Sequence, residues 1–323
     1  MTEYLIRRTL QSIVTLVLIT ILTFSLIHLA PGGPFQVMLA PGISPEAFEI
    51  QARNLGLHDP FHVQYFRWIG DLLQGDFGNT FKTSMPVADL IWPTIGNTMV
   101  LMAAAWMVTL IIALPWGIYN STREYGLSDQ TASFISYLGF AMPSFWFGII
   151  LQQIFAMKLR WLPLSDMWSF GKRGDPVDLV LHLILPVTVL SLGFLASYVK
   201  YARSSMLEVL NQDYIRTARA KGVKENRVVF RHALRNALIP IITIIGLDLP
   251  ILVSGAALTE SVFNWPGMGR LFVDMALARE YPVLMAIVLI TAVFVVVGNL
   301  LADILYAFVD PRVQLGKKGG ASA

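Results

Sequence analysis

The sequence predicts an all-α integral membrane protein with six transmembrane helices, and three observations carry that prediction. Hydrophobic residues make up 55% of the 323-residue chain and charged residues 14%, with a mean hydropathy of +0.61, a balance that suits lipid as a solvent. Six apolar runs are each long enough to cross a bilayer, which takes roughly 20 residues as a helix. The basic residues gather on alternate loops, the asymmetry that orients membrane proteins. The isoelectric point near 9.1 reflects a formal excess of only +3 beside apolar runs, so it is a topology signal and not a nucleic-acid footprint. Cysteine is absent, which excludes a disulfide framework, thiolate metal sites and a cysteine nucleophile.

The apolar runs are Thr9 to Leu29, Met99 to Tyr119, Phe134 to Met157, Leu179 to Tyr198, Leu238 to Leu258 and Pro282 to Val309. The first follows Arg7 and Arg8 but exceeds a cleavable signal core and ends without an A-x-A site, so it is expected to stay as an anchor. Pro115, Pro143, Pro186, Pro240 and Pro250 mark kinks or helix ends, which packed membrane helices tolerate. Placing both termini in the cytoplasm puts fifteen of the 24 Lys and Arg residues on the cytoplasmic side, with Lys158, Arg160, Lys172 and Arg173 as the main group left outside. The stretch from Pro31 to Asn97 reads as a folded external region with short amphipathic helices, because it holds Pro31-Gly32-Gly33-Pro34, a Leu55-Gly56-Leu57 turn and Gln64-Tyr65-Phe66-Arg67-Trp68.

The loop from Val199 to Ala237 is the most informative part of the chain. Within it, Asp213-Tyr214-Ile215-Arg216-Thr217-Ala218-Arg219-Ala220-Lys221-Gly222 reads as a short helix. Asp213 is expected to cap its start, and Gly222 to supply the left-handed residue after its end. Tyr214, Ile215 and Ala218 form a small apolar face fit for close approach by another protein, and a basic helix lying on anionic headgroups is the alternative.

The segment Arg216-Thr217-Ala218-x-x-x-Gly222 resembles the E-A-A-x-x-x-G loop of bacterial ABC importer permeases and sits, as theirs does, before the last two spans. Arg231-His232-Ala233-Leu234-Arg235-Asn236-Ala237-Leu238-Ile239-Pro240 extends the likeness to the oligopeptide, dipeptide and nickel branch. Ile6-Arg7-Arg8, His28-Leu29-Ala30-Pro31-Gly32, Gly75-Asp76-Phe77-Gly78, Thr259 to Gly269 and Asp310-Pro311-Arg312 fit the same branch, so the resemblance spans nearly the whole chain. Arg216 and Thr217 replace the Glu and first Ala of the general loop, and Arg235 stands where that loop has proline.

The resemblance implies a type I importer permease fold, with residues 94–306 as the transport domain, 1–93 as an N-terminal helix plus external region, and 307–323 as a cytoplasmic tail. It implies that the loop helix, through Asp213, Tyr214, Ile215, Arg216, Thr217, Ala218, Lys221 and Gly222, docks on a cytoplasmic ABC ATPase. A sibling permease would complete the pathway, and an extracytoplasmic binding protein would deliver a peptide or related solute. The membrane would be the cytoplasmic membrane of a bacterium or archaeon. The chain contains no G-x-x-x-x-G-K-[ST] phosphate cradle, so it is expected not to be an enzyme and to hold no cofactor, with ATP and Mg on the ATPase.

Polar residues inside spans are candidates for the pathway or for helix packing, since a charge at the bilayer centre costs at least about 2.5 kcal/mol. Asp248 lies in Gly246-Leu247-Asp248-Leu249-Pro250 and should face a pathway or a partner helix; Asn299 and Asp303 are four apart on the last span. His58 and His62 flank Pro60 with no third ligand nearby, so no metal site is expected. Glu260 and Asp274 form no acid–base pair with a nucleophile. Two other function classes remain: an ion-coupled secondary transporter or channel using Asp248 and Asp303, and a membrane scaffold.

Overall fold

The computed structural model describes residues 2–29, 56, 58–248 and 250–309, with backbone only at 2–6, 254 and 303–309. The Pro31-Gly32-Gly33-Pro34 stretch and the Asp310-Pro311-Arg312 tail therefore lie outside the described residues. In chain order the helices are α1 (Thr2–Leu29), α2 (Phe61–Leu73), α3 (Val87–Thr122), α4 (Leu127–Ala141), α5 (Ser144–Leu151), α6 (Pro176–Leu210), α7 (Asp213–Ala220), α8 (Leu234–Asp248), α9 (Ile251–Ser254), α10 (Ala257–Val262), α11 (Met268–Ala278) and α12 (Tyr281–Val309). A π-helical stretch, Gln152–Lys158, continues α5, and another, Val228–Ala233, leads into α8.

Among the described residues five segments are long and apolar enough to cross a membrane: Arg7–Leu29, Val87–Thr122, Pro176–Leu210, Glu225–Val253 and Tyr281–Ala302. The third apolar run departs from the expected straight span. Its two halves, Leu127–Ala141 and Ser144–Lys158, meet at 104°. Pro143 is the cause: Met142 before it takes an extended conformation and Pro143 opens the next helix, the restriction proline places on its predecessor. The fifth run also breaks before its expected end at Leu258. Pro250 starts the short α9, Gly255 turns the chain, and Leu258 falls in α10. Pro115, Pro186 and Pro240 lie inside helices that continue through them.

The centre of the bundle is the pair α3 and α6. Their backbones come close at Gly117, where a Cβ would lie 2.6 Å from Ala202 Cβ and 2.8 Å from Val199 O, the small-residue approach that serves helix packing where lipid supplies no hydrophobic drive. At the far end, α2 is clamped to α1 through Phe24, which meets Phe61 and Tyr65 edge-on and stacks with Trp68. Thr20 Oγ1 and Tyr65 OH share a 2.8 Å hydrogen bond across the same contact.

Candidate functional site

The basic loop folds as α7, between α6 and the π-helical entry to α8. Its two ends differ from one another. Gln212, extended at φ −73° and ψ 150°, takes the N-cap position without a side-chain hydrogen bond. Asp213 is thus already helical and does not cap, contrary to the sequence expectation. Its carboxylate is fully exposed, 3.6 Å from Arg216 Nη1, and its charge still favours the positive end of the helix. At the other end Gly222 has φ +75°, its N–H donates to Arg219 O at 2.9 Å, and Val223 N–H donates to Ala218 O at 3.3 Å. This is a Schellman closure, which needs a residue free to adopt positive φ.

Burial corrects the expected direction of the apolar face. Ile215 is fully buried in a cluster with Met206, Leu210, Val228, Val229, Ala233 and Ala237, and Ala218 packs against the same cluster. That face is seated on the chain's own helices. The face turned outward carries Tyr214, Arg216, Thr217 and Lys221, all exposed. Tyr214 OH accepts a 2.7 Å hydrogen bond from Asn236 Nδ2 at the start of α8. Arg219 forms a two-point contact with Glu225, at 2.6 and 3.1 Å, that spans the Gly222 turn. The Glu225 carboxylate raises the already high guanidinium pKa of Arg219, so this cation keeps its charge at any physiological pH.

Among the polar groups in the spans, Asp248 Oδ2 accepts a 2.6 Å hydrogen bond from Tyr198 OH, and that hydroxyl accepts one of 3.1 Å from Trp106 Nε1. The chain of three ties α8 to α6 and α3, the helix-to-helix role that a carboxylate in lipid calls for. Asn299 lines a cavity of about 650 Å³ between α1 and α12. The side chain of Asp303 lies outside the described residues. Asp248 and Asn299 do not meet in one site. Among the described residues no group of three His, Asp or Glu could hold a metal ion.

The comparisons with known proteins decide what this architecture belongs to. Residues 113–315 match the family described as binding-protein-dependent transport system inner membrane component, and residues 1–115 match the family's N-terminal component. The chain belongs to this permease family. It is 48% identical to the oligopeptide transport system permease protein AppB of Bacillus subtilis, covering 97% of this chain and all of that one. It is 37% identical to the dipeptide transport system permease protein DppB of Escherichia coli K12, covering 97% of this chain and 99% of that one. Among solved structures, an inward-facing form of the MetNI methionine ABC transporter superposes with a TM-score of 0.54 at 15% identity, covering 68% of this chain and 96% of that chain. That likeness is one of fold.

Among the described residues four carboxylates of the permease are buried, Asp129, Asp178, Glu260 and Glu280, and three of them join distant segments in a way that sequence reasoning missed. Glu260 in α10 is fully buried. Its carboxylate accepts hydrogen bonds from Thr98 Oγ1 at 2.9 Å, Arg270 N at 2.9 Å and Ala256 N at 3.4 Å, joining α3 to the start of α11. Beside it Trp265 Nε1 donates to Asn97 O at 2.9 Å, and Asn97 Nδ2 donates to Pro266 O at 2.8 Å. Glu280 accepts from the N–H groups of Phe81 and Lys82 at 2.6 and 2.9 Å, pinning the loop before α3 to the start of α12. At the α7 end of the bundle, Asp129 pairs with Arg203 at 2.7 and 2.8 Å and so locks α4 against α6. The only sequence signal was an acidic residue amid apolar and turn residues; its partners are backbone amides or lie far along the chain.

Proposed function

We propose that this chain is the permease subunit of an ATP-driven importer for peptides, with α7 as the element that couples it to a cytoplasmic ABC ATPase. One observation carries the reading: α7 is closed at its C-terminal end, pinned from below by buried Ile215 and tied to α8 by the Tyr214–Asn236 hydrogen bond, while its outward face is left for a partner. A helix so seated moves as one body with the spans on either side of it. The names of the relatives that align end to end with this chain support peptides, from dipeptides to oligopeptides, as the cargo class.

On this reading the bent pair α4–α5 counts as one span, the chain crosses the membrane six times, and both termini lie in the cytoplasm, in line with the basic-residue asymmetry. Residues 94–306 form the transport domain. The partners are a sibling permease, the ATPase subunits, which hold ATP and Mg, and an extracytoplasmic binding protein, in a bacterial or archaeal cytoplasmic membrane. Asp248 serves packing between helices first, and any contact with cargo is secondary.

The test is site-directed cross-linking in the assembled transporter. Photoreactive groups placed at Arg216 and Thr217 should capture the ATPase, and groups at the exposed Phe66 or Trp161, in the segments on the other side, should not. Capture from neither α7 position, with transport intact, overturns the assignment. A lone chain that takes up peptide under a proton gradient overturns the importer reading altogether.

A further inference from the structure

We propose that the cavity between α1 and α12 is a binding site for one phospholipid of the cytoplasmic leaflet, with an anionic headgroup preferred. The α1 wall is a single helical face: Arg8, Gln11, Ser12, Thr15 and Ile19 all line the cavity. Facing it, α12 contributes Ile287 and Val288 near its start and Asn299 near its end, with Thr291 and Val295 between, while Phe272 of α11 closes the side. The two helices run in opposite directions, so polarity changes along the cavity. Arg8, Gln11, Ser12 and Asn299 sit at one end; Ile19, Ile287 and Val288 sit at the other.

That gradient is the profile of an amphiphile standing upright in one leaflet. From Arg8 to Ile19 the helix rises about 16 Å, close to half of a hydrocarbon core roughly 30 Å thick. The polar end lies on the side that carries the Arg7–Arg8 pair, where the surface charge of a cytoplasmic leaflet is negative and attracts basic residues. Gln11, Ser12 and Asn299 make no side-chain hydrogen bond among the described residues, while Thr15 Oγ1 donates back to Gln11 O at 2.9 Å. Polar side chains that an occupant shields from water cost free energy unless it hydrogen-bonds them, and a glycerol ester and phosphate supply acceptors for those amides and hydroxyls. A peptide cargo fits this gradient less well, because a peptide carries polar groups along its whole length. The inference rests on the proposed orientation for the leaflet it names, and on the cavity alone for the occupant.

The experiment uses the assembled transporter in proteoliposomes containing a phosphatidylglycerol with a photoactivatable diazirine in one acyl chain. After irradiation, labelled positions are read by mass spectrometry. Expected is labelling of Phe272, Ile287 and Val288 in excess of Val293 and Val297, which face outward on α12, and loss of that excess when unlabelled phosphatidylglycerol competes, with phosphatidylcholine competing less. Val295→Trp should fill the cavity and abolish the excess, and Gln11→Leu should lower it. Equal labelling of inward and outward positions overturns the proposal. So does displacement of the label by cargo peptide, which makes the cavity a cargo site, or labelling of the lone chain but not of the complex, which makes it a partner interface. A label confined to the opposite leaflet that still reaches these residues keeps the site and overturns the orientation instead.

Discussion

The α7 helix and the α10–α11 end of this permease are built on opposite electrostatic plans, the buried Asp129–Arg203 pair belonging to the α4–α6 contact beneath α7 and not to the helix itself. At the α7 end the charges of the helix stay in water, as the exposed Arg219–Glu225 and Arg216–Asp213 pairs do, and an apolar side chain, Ile215, holds the element down. At the α10–α11 end the charge itself is the fastener, because Glu260 is buried under donors from three segments. Exposed pairs contribute little to stability, with a median near 0 to 1 kcal/mol; a buried carboxylate stripped of its donors, or donors stripped of it, costs several. The α7 end can therefore exchange its surface contacts during a transport cycle without unfolding, and the α10–α11 end is set to stay put.

The largest expected effect is at Glu260. Glu260→Ala leaves the Thr98 hydroxyl and the Ala256 and Arg270 amides without an acceptor, each a penalty of about 1–3 kcal/mol. The assembled complex should lose several degrees of thermal stability in detergent, together with yield. Unchanged melting would mean that water enters the knot and that the contrast between the two ends is wrong.

Next comes Ile215. Ile215→Ala should cost about 2–4 kcal/mol locally through the cavity it leaves. Because the damage is confined to the seat of α7, it should lower coupled ATPase activity and transport more than it lowers overall melting. Equal losses in both would show that α7 is part of the folding core instead of a separately seated lever.

How much of this was legible in the sequence follows from which forces act locally. The α7 helix and its Gly222 closure could be read from adjacent residues, since a Schellman turn is made within six positions. Five of the six apolar runs were visible as spans for the same reason, and the third was visible as an apolar run but not as a bent pair. The inward direction of Ile215 was not, because Met206 and Val228 become its neighbours only after the loop folds back, and a small apolar face looks the same whether it meets its own chain or another. The bend at Pro143 was flagged as a kink or helix end, but its angle depends on how α5 packs against α6 and α10. Glu260, Glu280 and Asp129 escaped because each finds donors far away in sequence or on backbone amides, which no residue pattern displays.

A paired substitution on α7 separates its two faces. Ala218→Trp forces a large side chain into the cluster around Ile215, an overpacking worth about 1–3 kcal/mol, so it should unseat the helix even when no ATPase is present. Thr217→Trp, on the outward face, should leave the isolated permease as stable as before and weaken ATPase association. Thermal stability of the lone chain tells the two apart. If Ala218→Trp is silent there and Thr217→Trp is not, the inward and outward assignments are reversed.

The smallest expected effect is at Arg219, and it sharpens the comparison because the geometry looks strong. The contact with Glu225 has two points and one of them is only 2.6 Å, yet the side chains are about half exposed, at 42% and 57%. Solvent and salt screen such a pair, so Arg219→Ala should change the stability of the complex by no more than about 1 kcal/mol. The lost contact bridges the Gly222 turn, which the Ala218–Val223 and Arg219–Gly222 backbone hydrogen bonds hold closed without it. Arg219→Lys should behave as wild type if the pair only decorates the turn, whereas loss of transport in Arg219→Lys with unchanged melting would mean that the planar guanidinium meets a second carboxylate on the ATPase. A double-mutant cycle with Glu225→Ala measured on the lone permease decides between them: a coupling energy well above 1 kcal/mol there would put this surface pair in the same class as Glu260 and remove the difference between the two ends.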